Sequence, residues 1–222
     1  VSGPSVIVVR EGQVIDITLK VAPLVCDILE MDNPAEYVNS IEGAFLGNVD
    51  DIALNHAGRP DAIHMLAPCD LQAIKAAGVT FVKSMVERVI EEAAAGDPAK
   101  AEAVRAKVTS LIGDSLRDVE PGSEKAAKLK DALIEEGVWS QYLEVGIGPD
   151  VEVFSKSQTL SSMGWGVSVG LHPKSIWNNP EPEIVLAVDS RGRIKGASLG
   201  NDVNLRDFEG RSALLLSKAK DN

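Results

Sequence analysis

The sequence predicts an α+β fold, with strands at both ends and helices in the middle. Three observations predict it. Short apolar runs of strand length stand near the start, at residues 6–9 and 14–17, and again after residue 150. Between them lies a stretch with helix punctuation, from Asp97-Pro98 to Gly137. The chain has 222 residues, 45% of them hydrophobic, which is enough for one large domain or a large and a small one.

Taken in order, residues 6–9 and 14–17 flank Arg10-Glu11-Gly12-Gln13 and read as a small hairpin. Residues 21–29 read as a short helix. Residues 33–61 are polar, contain glycine and are weakly patterned, so a linker with short helical pieces is expected. A boundary near Leu66-Ala67-Pro68 divides a small N-terminal domain, 1–65, from a second domain, 66–222. Residues 77–81 read as a strand feeding a helix over 84–95. Asp97 as N-cap with Pro98 at the first helical position starts a further helix, which runs to Ile112. Another spans 123–136 and is closed by Gly137, with Glu124, Lys125, Lys128 and Asp131 on a solvated face. From Trp139 the pattern turns to β. Residues 151–154, 184–188 and 193–198 are its clearest strands, and 184–188 is apolar throughout, as a strand buried on both faces would be.

Net charge is −11, which argues against a nucleic-acid or anionic-membrane surface. No apolar run approaches the roughly 20 residues that cross a bilayer. Two cysteines, Cys26 and Cys69, make no disulfide framework and no zinc spacing, so both are expected to be reduced, in a cytoplasmic protein. The first residues are not a signal peptide, and both ends read as cut. His56, His64 and His172 have no partner at ligand spacing and read as surface or structural. Trp139, Trp165 and Trp177 read as core or pocket-wall residues.

The chemistry concentrates in Pro180-Glu181-Pro182-Glu183 and Gly200-Asn201-Asp202. Carboxylates two residues apart on a strand share a face, about 7 Å apart. If Arg191-Gly192 is a two-residue turn, the returning strand places Asp202 opposite Glu181 and Gly200 opposite Glu183. A one-residue slip would turn Asp202 to the other face unless a bulge corrects it, and Gly200 is placed for such a bulge. Three carboxylates with no base beside them fit a hard divalent cation such as Mg²⁺ or Mn²⁺. Spacing alone favours the plainer reading, a solvated strand end with two surface glutamates.

The wider segments resemble the fumarylacetoacetate hydrolase superfamily. They are 179–186 (Asn-Pro-Glu-Pro-Glu-Ile-Val-Leu) and 200–207 (Gly-Asn-Asp-Val-Asn-Leu-Arg-Asp). Residues 149–156 and 209–220 look like its branch that dehydrates 2-keto-3-deoxy-D-pentonates (xylonate, equivalently arabinonate). The resemblance implies a mixed β-sheet roll carrying a helical insertion at about 84–136. The insertion would be either a lid or helices packed outside the sheet. It implies Glu181, Glu183 and Asp202 as ligands of Mg²⁺, Mn²⁺ or Ca²⁺, and Glu152 and Lys220 as the acid–base pair. Burial beside the metal would lower the Lys220 pKa. Lys156 and Arg206 would hold the substrate carboxylate, although Arg206 could instead orient Asp202 or Asp207. It further implies a homodimer or homotetramer, and a catalytic domain that continues beyond Asn222, so that the chain alone would be inactive.

One departure bears on the reaction. Members that hydrolyse or decarboxylate carry a histidine where Thr80-Phe81-Val82-Lys83-Ser84 places serine, with Glu87 following. Serine without a partner is no general base near neutral pH. The implied activity is therefore dehydration to 2,5-dioxopentanoate in pentose catabolism. An acylpyruvate-type hydrolase or decarboxylase on the same fold, and a non-catalytic metal-binding fragment, are the alternatives.

Overall fold

The computed structural model describes residues 3–52, 62–78, 89–90, 93, 98–112 and 119–221. The predicted Ser84 and Glu87 positions, His56, Asp97, strand residues 79–81 and most of the helix over 84–95 lie outside the described residues. The chain forms two units, each discontinuous in sequence. The first comprises Val1–Ile74, Ser155–Phe208 and Lys218–Asn222; the second comprises Lys75–Phe154 and Glu209–Ser217.

The first unit opens with the expected hairpin, β1 (Ile7–Arg10) and β2 (Gln13–Asp16). Glu11 and Gly12 both have positive φ, 49° and 79°, the tight-turn geometry whose twist matches that of the strands. The stretch expected to be a linker supplies a third strand, β3 (Ala44–Asn48), antiparallel to β2 with a bulge at Val14/Ile15. That bulge breaks the alternation that would have announced it. Helices α1 (Val25–Leu29) and α2 (Pro34–Ser40) follow β2, and Val6, Ile17, Ala22 and Ile28 form the buried cluster beneath them. Burying each large aliphatic side chain contributes about 1.5–3 kcal/mol. Asp70 caps α1 from outside the helix, accepting from Val25 N and Cys26 N at 2.6 and 3.2 Å.

Strand β4 (Ile74–Ala77), three residues earlier than expected, pairs with β5 (Val153–Ser157), whose residues from Ser155 on, Lys156 among them, belong to the first unit; in the second unit Gly78 N–H donates to Glu152 O at 3.0 Å. Helix α3 (Pro98–Ile112) begins at the predicted proline. Helix α4 (Glu124–Glu135) is capped by Ser123, whose hydroxyl accepts from Ala126 N, and is followed by Gly137 at φ 69°. A further helix, α5 (Gln141–Ile147), stands where a β pattern was expected. Its signal was Leu143 and Ile147 at i, i+4. Both are buried with Val89, Ala126 and Leu133.

Back in the first unit, β6 (Asn178–Asn179) pairs with β9 (Asn204–Leu205), and β7 (Pro182–Val188) with β8 (Ile194–Asn201). The second hairpin is not buried on both faces: Ile184 is 68% exposed and Leu186 50%. Among the described residues its sheet has two strands, and a two-stranded ribbon needs a layer on each side before a continuous apolar run is buried. Trp165 and Trp177 are also exposed, contrary to expectation, whereas Trp139 packs in the helical cluster beside Lys130. Short helices α6 (Arg206–Glu209) and α7 (Leu216–Ala219) end the chain, and Leu205, Phe208 and Ala219 form a small buried cluster. Among the described residues no helix is long and apolar enough to cross a membrane.

Candidate functional site

The register of β7–β8 decides where the acidic residues meet. Glu183 stands opposite Gly200 and Pro182 opposite Asn201, as expected. Asp202 N–H donates to Glu181 O at 2.9 Å and carries the pairing one step further. The route to this register differs from the expected one. The turn is a three-residue loop: Gly192 N–H donates to Asp189 O, and Asp189 N–H to Arg193 O. Gly192 has φ 77°, the left-handed position this loop requires. The register then shifts between Ala187 and Val188, not at Gly200. Gly200 has another use, since a methyl group there would lie 2.6 Å from Val185 Cγ2.

Asp202 is buried and Glu181 nearly so. Between them lies the buried Lys220 ammonium, 2.5 Å from Glu181 Oε2 and 3.1 Å from Asp202 Oδ2. Lys220 reaches this position because Ala219 is anchored in the Leu205–Phe208 cluster. The other carboxylate oxygen of Glu181 accepts from Asn204 Nδ2 at 3.1 Å and Asn179 Nδ2 at 3.5 Å, and Glu181 N donates to Asn201 Oδ1. None of these asparagines was predicted to have a role. Their signal was present in the pairing of Asn179 with Asn204, which brings both amides to the Glu181 carboxylate.

Lys156 Nζ lies 3.1 Å from Asp202 Oδ1 and donates to the carbonyls of Val203 and Lys220 at 2.9 and 2.5 Å. Arg206 stacks over Trp177, 5.8 Å from the ring centre, while Asp207 accepts from Ser175 Oγ and Ile176 N. Glu183 is half-buried on β7. Glu152 belongs to the second unit, where its side chain packs over the Cα of Gly78 and leaves no room for a Cβ. His64 binds Ala62 O, and His172 packs on Phe208 and accepts from Lys174 N, both structural roles.

A divalent cation can be tested against these groups. Glu181 and Asp202 each bring a carboxylate oxygen to one point, now held by an ammonium. Asp202 Oδ1 is buried and ion-paired with Lys156 Nζ at 3.1 Å, without the alignment of a hydrogen bond. Carboxylate oxygens are the hard donors that Mg²⁺ or Mn²⁺ takes. Among the described residues, however, no three carboxylate, imidazole or thiol side chains stand close enough together to form a metal cage. The fit therefore rests on Glu181 and Asp202, with Glu183 two residues along the same strand.

A buried ammonium shared by two carboxylates is the polar centre that these elements assemble. The chain resembles the dehydratases of 2-keto-3-deoxy-pentonates. It is 35% identical over 69 residues to the 2-dehydro-3-deoxy-D-arabinonate dehydratase of Saccharolobus solfataricus, a segment covering 31% of this chain and 23% of that protein. It is 37% identical over 79 residues to the probable 2-keto-3-deoxyxylonate dehydratase of Haloferax volcanii, covering 36% of this chain and 27% of that one. The chain thus spans about a quarter of the length of the curated relatives it matches. No family model and no solved structure matches it.

Proposed function

We propose that this chain is part of a divalent-metal-dependent hydro-lyase that converts a 2-keto-3-deoxy-D-pentonate to 2,5-dioxopentanoate. The observation that carries the reading is Lys220 buried between Glu181 and Asp202, in a chain similar to two dehydratases of that substrate class. Glu181, Asp202 and Glu183 would hold the cation. When bound, it supplies Lewis acidity toward the 2-keto acid, favouring loss of a proton from C3. Lys220 is an ammonium while it bridges Glu181 and Asp202; with those carboxylates taken up by the cation it would release that proton and, as free amine, accept the one from C3. The C4–O bond then breaks, and the hydroxyl leaves as water with a proton supplied at oxygen. Glu152 is proposed as that donor on the resemblance alone. Tautomerisation through C5 completes the product, with a ketone at C2 and an aldehyde at C5. Asn204 and Asn179 hold Glu181 in one orientation throughout. Burial of Asp202 and Lys220 keeps bulk water from this exchange.

The fumarylacetoacetate hydrolase-type roll and a homo-oligomeric, cytoplasmic enzyme go with this reading. The test supplies full-length protein with 2-keto-3-deoxy-D-xylonate, with and without Mg²⁺, and measures 2,5-dioxopentanoate. Product that forms only with the metal is expected. Turnover without metal, or cleavage of an acylpyruvate in its place, would overturn the reading.

A further inference from the structure

We propose that Lys156 is a positioning residue that holds Asp202 and Lys220 in register, and that it does not contact the substrate. The inference rests on the dehydratase reading for what the site does, but not for the placement of Lys156. An ammonium has three N–H groups and no acceptor. Three protein oxygens surround Lys156 Nζ: Val203 O at 2.9 Å, Lys220 O at 2.5 Å and Asp202 Oδ1 at 3.1 Å. Its side chain is 9% exposed, so the nitrogen faces protein and not an open cleft. A lysine that captures a substrate carboxylate needs a donor pointing at that carboxylate, and here two N–H groups go to backbone carbonyls and the ammonium charge is paired with Asp202.

The identity of the acceptors matters as much as their number. Val203 follows Asp202, and the Lys220 carbonyl belongs to the residue whose ammonium bridges Glu181 and Asp202. One nitrogen on β5 therefore ties together segments 47 and 64 residues away along the chain. Two ties fix the backbone at Lys220 and next to Asp202, and the third pairs directly with the Asp202 carboxylate. A cation is required at this point because two carbonyl dipoles and a carboxylate converge there, out of water.

The experiment compares Lys156→Met and Lys156→Arg with the parent in the full-length protein. The first readout is acetylation of Lys220 by limiting acetic anhydride under native conditions, followed by mass spectrometry. Losing the tie is expected to raise the Lys220 labelling rate by about tenfold or more in Lys156→Met, through local opening of the segment it anchors. Lys156→Arg keeps the charge but cannot seat one nitrogen among three oxygens, so it also raises the rate; it carries the test if the Met variant does not fold. The second readout is equilibrium binding of pyruvate, a minimal 2-keto acid, which is expected to stay within about threefold of the parent. Pyruvate affinity lost in Lys156→Met and restored in Lys156→Arg, with Lys220 labelling unchanged in both, would overturn the proposal and make Lys156 a substrate contact. Parent protein that binds no pyruvate would count against the dehydratase reading, while the labelling comparison would still decide the role of Lys156.

Discussion

Lys220 carries a charge in a buried position because two carboxylates meet it there, and each depends on it in turn. Removing one partner of such a group leaves uncompensated charge and costs about 3–5 kcal/mol. Lys220→Met is therefore expected to lose activity and to lower the melting temperature. It also vacates the point where Glu181 and Asp202 converge, so added Mn²⁺ should raise its melting temperature more than that of the parent. No Mn²⁺ shift in either protein would mean that the two carboxylates do not form a cation site. Cys26 shows the opposite use of burial. Burial, together with hydrogen bonding to Asp70 and the negative charges of Asp70 and Asp27, pushes its thiol up to about 11. The thiolate is then scarce at pH 8, and alkylation by iodoacetamide should be about a hundredfold slower than for an unperturbed cysteine. Peptide mapping that finds Cys26 alkylated at the rate of free cysteine would contradict this environment.

The β7–β8 hairpin is the element that delivers Glu181, Glu183 and Asp202, and its turn is held electrostatically. Burial works to raise the Asp189 pKa. Hydrogen bonds from Arg193 N, Arg193 Nε and Arg191 N, with the Arg193 charge, overcome this and hold it at about 2, against an ordinary value of 3.8. A folded-state value below the unfolded one gives stability that is fully present above pH 3.8 and is lost as pH falls through about 2. Asp189→Asn should thus be less stable than the parent at neutral pH, with the gap closing between about pH 4 and 2. Urea midpoints that run parallel across that window would exclude Asp189 as the source. Gly200→Ala tests the other end of the hairpin. Its methyl group meets Val185, so it should lower both stability and turnover by moving Glu183 relative to Asp202. Much of this element was legible in the sequence. A two-residue turn at Arg191-Gly192 gives the pairing of Glu183 with Gly200 on paper; the structure reaches the same pairing because the bulge at Ala187/Val188 offsets a loop one residue longer. The position of the bulge was not legible, because the loop closes through Asp189–Arg193 contacts that no spacing rule records. The exposure of Ile184 and Leu186 was also missed, since an apolar run reports a preference for burial and not how many layers the sheet receives.

At the scale of the molecule, the N-terminal segment and the site hairpin belong to one unit although more than a hundred residues separate them. The joint is polar. Ser190 N–H and Oγ both donate to the Glu30 carboxylate at 2.7 Å, Arg193 pairs with Asp32, and Lys195 donates to Met31 O and Asp32 O. None of this could be read beforehand, because Glu30, Met31 and Asp32 look like an ordinary polar helix exit, and long-range partners leave no periodicity. The same blindness applied to Lys156, whose acceptors are backbone carbonyls far along the chain. The Glu-x-Glu and Asp202 motif, by contrast, was visible because its chemistry is local to one hairpin. An exposed two-stranded ribbon is marginal by itself, so the contacts at residues 30–32 are expected to set its stability. Deleting residues 1–74 should then leave β7 and β8 with little hydrogen-exchange protection, and with them the convergence of Glu181 and Asp202. Glu30→Ala in the complete chain should loosen only the turn at Ser190, by about 1–3 kcal/mol for hydrogen bonds to a charged group. Protection of the amides from Ile184 to Val188 that survives the deletion would show that the hairpin stands alone. The N-terminal segment would then be an attachment to the site and not part of its frame.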